Sequence, residues 1–238
     1  MIDLYYLYSG MGNEELEYPK TLDKYFSLEE QAEYSRFKVI KRQFEWISSR
    51  IISKKMINQI LKGEKLNFPD IRIKKEETGQ PYIYITSQGR LEGKFSLSHS
   101  NGYVFCGYSL SKELMFGLDL EKIEAHSLEF VQDYLTSREI ELYQSLDGND
   151  KDEYTTMVWS AKESVLKTLG LGLSIDTRKV EIIPTDDPSR LIGWNSCLVK
   201  AENKMNLNMN VYWQKKNGFI RTICVPGDVA IRIIEIHL

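Results

Sequence analysis

No stretch of this 238-residue sequence approaches the run of about 20 apolar residues that a membrane-spanning helix requires. Its opening, Met1-Ile2-Asp3-Leu4-Tyr5, lacks the basic segment followed by an apolar one that marks a secretory leader, so a cytoplasmic location is expected. Cysteine is scarce. Cys106, Cys197 and Cys224 are odd in number, far apart and free of any Cys-x-x-Cys spacing, which argues against a disulfide framework and against a structural zinc site. A dominant charge is also missing: 31 basic residues stand against 34 acidic ones, interspersed, for a net charge of -3. No field of the whole molecule then favours a nucleic acid, and any anionic ligand has to be held by a local cluster. The expectation is a soluble globular monomer with neither nucleic acid nor membrane as partner.

The hydrophobic pattern alternates between the two regular periods. Ile2 to Tyr8 reads as a strand that breaks at Gly10 to Gly12. Ser27 with Glu30 makes a capping box for a short helix, and a longer helix follows from about Lys41 to Leu61 until Gly63. Strands then take over around Ile71 and Ile73, Tyr82 to Ile85, Phe95 to Ser98 and Tyr103 to Ser109, with Asn101-Gly102 as a hairpin turn. From Leu114 the same order returns. A strand to Leu120 leads to a helical region from Leu128 with a second capping box, Thr136 with Glu139, and to a helix from about Asp152 to Leu169 ended by Gly170. Extended segments follow at Val180 to Ile183, Leu207 to Gln214, Phe219 to Val225 and Val229 to Ile236, with Asn217-Gly218 as a second hairpin turn. The element order is doubled, although no residue-by-residue repeat stands out in the sequence.

Three segments carry candidate chemistry. In Gly117-Leu118-Asp119-Leu120-Glu121, side chains two apart on a strand share a face, so Asp119 and Glu121 converge at a solvent-reachable edge while Leu118 and Leu120 face the core. Such a pair occurs on solvated strands, and it also suits a hard cation. In Trp159-Ser160-Ala161-Lys162-Glu163-Ser164-Val165-Leu166-Lys167, helical spacing places Trp159, Glu163 and Lys167 on one stripe. Glu163 and Lys167 are then either an exposed ion pair beside a core tryptophan, or a third oxygen ligand and a phosphate contact. Ser96-Leu97-Ser98-His99-Ser100 puts one histidine between two hydroxyls at a strand end, a set suited to phosphate oxygens or to a structural turn. His126 and His237 read as surface residues.

In this order the three segments resemble the Sfp-type 4'-phosphopantetheinyl transferases, a family marked by Ser-His-Ser, then Gly-x-Asp-x-Glu, then Trp-x-x-Lys-Glu-Ser-x-x-Lys. The resemblance implies an α/β (α+β) fold of two similar halves with pseudo-twofold symmetry, drawn here at residues 1–111 and 112–238, with coenzyme A in the cleft. It implies magnesium on Asp119, Glu121 and Glu163, catalytic roles for Glu163, Lys167 and His99, and coenzyme A contacts from Ser98, His99, Lys162 and Lys167. The chain departs from the family at Glu30 and Glu33, where some relatives place basic residues for the 3'-phosphate, and at Gln80, where the turn usually carries lysine. Arg42 and Arg50 on the following helix are the replacements expected for that contact. The reaction implied is transfer of 4'-phosphopantetheine from coenzyme A to a serine of an acyl or peptidyl carrier protein, as in nonribosomal peptide or polyketide biosynthesis, with the carrier docking on Ile123 to Tyr134. A magnesium-dependent nucleotide-diphosphate hydrolase, or a non-catalytic module that binds coenzyme A or a carrier, would use the same residues differently.

Overall fold

The computed structural model describes residues 1–10, 20–62, 66–172, 175–185, 191–201 and 208–238; the chain break expected at Gly12, the helix stop at Gly63 and the strand start at Leu207 lie outside these. Helices and sheets mix along the chain, as an α/β reading requires. The chain forms two compact units, Asp3–Lys112 with Ile233–Leu238 and Glu113–Arg232 with Met1–Ile2. This differs from a single cut at 111/112, because the last strand leaves the second half and joins the first unit's sheet.

In the N-terminal unit, β1 (Ile2–Gly10) is followed by α1 (Lys20–Tyr25), α2 (Leu28–Tyr34) and the long α3 (Ile40–Ile60), then by β2 (Ile71–Lys75), β3 (Pro81–Ile85), the short β4 (Gly89–Arg90), β5 (Lys94–Ser100) and β6 (Tyr103–Ser109). Every residue of α3 from Trp46 to Lys54 is buried, rather than one stripe, because the helix has two covered flanks. Trp46, Ile47 and Ile51 pack with Tyr25, Phe26 and Tyr34 around α1 and α2. Ile52, Met56 and Ile57 pack against strand residues such as Leu7, Ile73 and Val104. One sheet runs β12-β1-β6-β5, where β12 is Ile231–Glu235, and a three-stranded sheet runs β2-β3-β4.

In the C-terminal unit, β7 (Gly117–Lys122), α4 (Leu128–Tyr134), α5 (Ser137–Ser145) and α6 (Gly148–Leu169) precede β8 (Val180–Thr185), β9 (Asn195–Ala201), β10 (Met209–Lys216) and β11 (Phe219–Pro226). The sheet order is β7-β11-β10-β9-β8. Val158, Ala161 and Val165 of α6 pack with Val180, Val211 and Ile220 of the sheet into the main core. α6 begins four residues before the expected Asp152, after Asp147, and ends at Gly170, whose φ of 69° lets its N–H reach back to the carbonyls of Leu166 and Lys167. Both predicted hairpin turns form, with φ of 45° and 81° at Asn101-Gly102 and of 54° and 77° at Asn217-Gly218, the positive values that a type I′ turn needs.

A repeat that the sequence hides becomes visible in the two capping boxes. Ser27 Oγ accepts from Glu30 N at 3.3 Å while Glu30 Oε2 accepts from Ser27 N at 3.1 Å; Thr136 and Glu139 exchange the same bonds at 3.3 and 2.7 Å. Each capping glutamate also binds a lysine of the long helix that follows: Lys54 Nζ lies 2.6 Å from Glu30 Oε2, and Lys162 Nζ lies 2.7 Å from Glu139 Oε2. Each lysine donates in addition to a tyrosine carbonyl, Tyr25 at 2.7 Å and Tyr134 at 2.9 Å, across 29 and 28 residues of chain. All four charged side chains are almost fully buried, so each clamp depends on its partner's charge.

The cysteines behave as core residues. All three are buried and free of disulfides. Each points its thiol at a methionine sulfur: Cys106 at Met56 (3.7 Å), Cys197 at Met157 (3.9 Å) and Cys224 at Met209 (3.7 Å). Burial pushes each thiol pKa up to about 12.

Candidate active site

The register of β7 on β11 sets Asp119 beside Thr222 and Glu121 beside Ile220. Thr222 hydrogen-bonds Ser160 of α6, so this face of the strand looks onto the helix. Leu118 and Leu120 are fully buried on the other face. Asp119 is not at a solvent-reachable edge as the sequence suggested: it is only 2% exposed, because α6 lies directly over it. Gly117 permits that close approach. A Cβ there would stand 2.1 Å from the Ser164 carbonyl, so any other residue would push the strand away from the helix.

From α6, Glu163 and Lys167 join the two strand carboxylates. Lys167 Nζ donates to Asp119 Oδ1 at 2.6 Å, so its nearest charge is a carboxylate across the strand–helix contact and not a solvent-exposed neighbour on its own helix. The Lys167 side chain remains 29% exposed. Burial, then the charge of Asp119, push Glu121 up to about 7, with the Lys167 ammonium opposing the rise. Burial and Asp119 raise the pKa of Glu163 as well, against Lys167. Glu163 Oε1 is buried without a hydrogen-bond partner.

Three acids and one ammonium leave a surplus of negative charge in a poorly solvated place. The all-oxygen donor set, the mutual repulsion and the open Glu163 oxygen fit a hard divalent cation. Among the described residues no three acidic, histidine or cysteine side chains are already drawn together into a finished cation site. The cluster therefore has the charge and donor chemistry for magnesium, with the Lys167 ammonium standing on one of the prospective ligands.

Two expected ligand contacts are corrected. Lys162 is fully buried, with its ammonium on Glu139, the Tyr134 carbonyl and the Thr177 carbonyl at 3.1 Å, and has no reach to a cofactor. It lies one position before Glu163, hence on another side of the helix. Arg50 is also buried: its guanidinium sits 3.9 Å from the Trp46 ring centre and 3.3 Å from Glu33 Oε1. The same packing explains the acids at the departing positions. Glu30 serves Lys54, and Glu33 accepts from the Trp46 indole at 3.0 Å and from Arg50.

In the N-terminal unit Arg42 is exposed near the start of α3, Gln80 is exposed in its turn, and Ser98 and His99 follow one another on the edge strand β5 with Ser98 buried and His99 exposed. His126 is no simple surface residue: it is half-buried, stacks on Phe130 at 4.5 Å and lies 3.0 Å from Thr156 Oγ1. His237 is exposed, as expected. Trp159, one turn before Glu163 on the same stripe, packs edge-on against Phe130 and Tyr134 of α4.

Residues 115–210 match the family model described as the 4'-phosphopantetheinyl transferase superfamily. The strand and the helix that carry the acidic site both lie within that segment. The chain is 34% identical over 114 residues to 4'-phosphopantetheinyl transferase Sfp of Bacillus subtilis, covering 47% of this chain and 46% of that protein. It is 25% identical over 151 residues to the 4'-phosphopantetheinyl transferase gsp of Aneurinibacillus migulanus, covering 63% and 58%. The chain thus spans about half the length of the curated relatives it matches. Among solved structures, a holo-(acyl-carrier-protein) synthase from Bacillus anthracis in complex with coenzyme A aligns with a TM-score of 0.40 at 18% identity, over 47% of this chain and 95% of that one.

Proposed function

We propose that this protein transfers the 4'-phosphopantetheine arm of coenzyme A to a serine hydroxyl of an apo acyl or peptidyl carrier protein, releasing 3',5'-adenosine diphosphate. The observation that carries the reading is the buried acidic cluster on the family's own motif residues, with Glu163 Oε1 left open. Asp119, Glu121 and Glu163 would hold magnesium. When bound, the ion neutralises diphosphate oxygens and makes the phosphorus next to pantetheine more electrophilic. Lys167, partly exposed, offers its ammonium to the charge that grows as the bond to the leaving phosphate breaks. Glu163 is proposed to take the serine proton. The serine oxygen–phosphorus bond forms, the diphosphate bridge breaks, and the electron pair leaves with 3',5'-adenosine diphosphate.

Arg42, Ser98 and His99 are proposed as contacts to the nucleotide and diphosphate of coenzyme A. The carrier is proposed to dock on the α4 segment, where Leu128 is 62% exposed. Among the described residues no helix is long and apolar enough to cross a membrane; a cytoplasmic monomer suits this reading. The test is incubation with coenzyme A and magnesium, with and without an apo carrier, followed by intact-mass spectrometry. A carrier that gains the phosphopantetheine mass supports transfer. Release of 3',5'-adenosine diphosphate at the same rate without any carrier would replace it with hydrolysis.

A further inference from the structure

Along α6, Ser160, Ser164 and Thr168 each follow by one position a residue of the site stripe, Trp159, Glu163 and Lys167. Four residues apart, they share a side of the helix, and all three are buried. Two threonine hydroxyls tie this side to the sheet. Thr222 of β11, the register partner of Asp119, donates through Oγ1 to the Ser160 carbonyl at 2.9 Å and meets Ser160 Oγ at 3.0 Å. Two turns further along the helix, Thr168 Oγ1 lies 2.8 Å from the Ser164 carbonyl and 3.3 Å from the Cys224 carbonyl of β11, so its one proton is shared between a bond within the helix and a bond to the strand. Cys224 is the register partner of Gly117, where α6 presses on β7: a Cβ at Gly117 would also stand 2.7 Å from Thr168 N and 2.8 Å from Thr168 Oγ1. On the helix the two bonds enclose Glu163 and Lys167; on the sheet they stand level with Asp119 and Gly117. Apolar packing is non-directional and leaves a helix free to slide or roll over a sheet by small amounts, whereas directional bonds at two points stop both motions.

We propose that Thr168 and Thr222 are positioning residues of the acidic site: their hydroxyls fix the height and rotation of α6 over β7 and β11, and so set Glu163 and Lys167 against Asp119. This rests on the magnesium site proposed above. It separates two reasons for a buried threonine. One kept for its shape tolerates valine and suffers from serine, whereas one kept for its hydroxyl reverses that order.

The experiment measures binding of manganese, a spin-active hard dication, by the electron paramagnetic resonance of the free ion, in the parent, Thr168→Val, Thr168→Ser and Thr222→Val, with folding checked by circular dichroism. Thr168→Val keeps the shape and removes the bond to β11; manganese affinity should fall by about tenfold, the usual effect of losing a partner behind the ligands. Thr222→Val should weaken binding to a similar degree from the strand side. Thr168→Ser keeps the hydroxyl and should stay within about twofold of the parent. A parent that binds no manganese overturns the metal site and this role together. A parent that binds, with Thr168→Val within about twofold of it or with Thr168→Ser as weak as Thr168→Val, overturns the positioning role alone. Should Thr168→Val not fold, unchanged affinity in Thr222→Val overturns the role equally.

Discussion

Lys162 and Lys167 lie little more than one turn apart on α6, and their surroundings give the same side chain opposite duties. The first is sealed against Glu139, whereas the second keeps part of its surface in water beside Asp119. Lys162→Met should leave Glu139 buried without its cation and cost about 3–5 kcal/mol in urea unfolding, while the folded protein keeps its KM for coenzyme A. Lys167→Met should show the reverse, a loss of about a hundredfold in carrier loading with a small change in stability. A comparable rise in KM for coenzyme A in Lys162→Met would restore it to the binding set. Glu163→Gln has a signature of its own. Burial and Asp119 make the Glu163 charge unfavourable, so removing that charge should raise the melting temperature of metal-free protein while abolishing loading. A lower melting temperature with unimpaired loading would mark Glu163 as an ordinary structural acid.

At the level of elements, α3 and α6 are each pinned to a capping box before them by one buried ion pair, which ties the C-terminal half of a long helix to the start of a short one that precedes it. Lys54→Met should therefore cost about as much stability as Lys162→Met, about 3–5 kcal/mol. The N-terminal clamp also has a pH signature. Burial lowers the Lys54 pKa from 10.5 to about 8, so between these values the unfolded chain holds more protons than the folded one. Stability contributed by this residue should thus rise with pH from about 8 toward 10.5. The parent should gain over that window relative to a Lys54→Met/Glu30→Leu variant in chemical unfolding, and a flat difference would contradict the assignment. The sequence made much of this architecture legible because caps, hairpin turns and the Gly-x-Asp-x-Glu strand are local signals: both boxes, both Asn-Gly turns and the Gly170 stop stand where the pattern put them. Partners far along the chain were not legible. Arg50 and Lys162 look like available cations in the sequence, and only the fold reveals that Glu33 and Glu139 consume them. Asp119 likewise read as reachable because nothing local announced how closely Gly117 lets α6 approach.

Over the described residues, a duplicated element order carries the acidic cluster in its C-terminal unit. Leu7 and Ser9 of β1 stand opposite Cys106 and Val104 as Asp119 and Glu121 stand opposite Thr222 and Ile220, counting each pair from its Asn-Gly turn. Lys55 follows the first clamp lysine where Glu163 follows the second. The first half so offers an apolar residue, a hydroxyl and a cation in place of three acids. Titration with manganese should saturate at one ion per chain, and a second site of similar affinity would contradict this correspondence. The sealed sulfur chemistry has a practical corollary. With each thiol pointed at a methionine sulfur in the core and its pKa near 12, thiolate is essentially absent at neutral pH and reagents have no approach. Native protein should react negligibly with Ellman's reagent, and unfolding in guanidinium should release all three thiols. A maleimide fluorophore could then be attached at a single added handle, Leu128→Cys on exposed α4, without first deleting a native cysteine, giving an optical test of the proposal that a carrier protein settles on that helix.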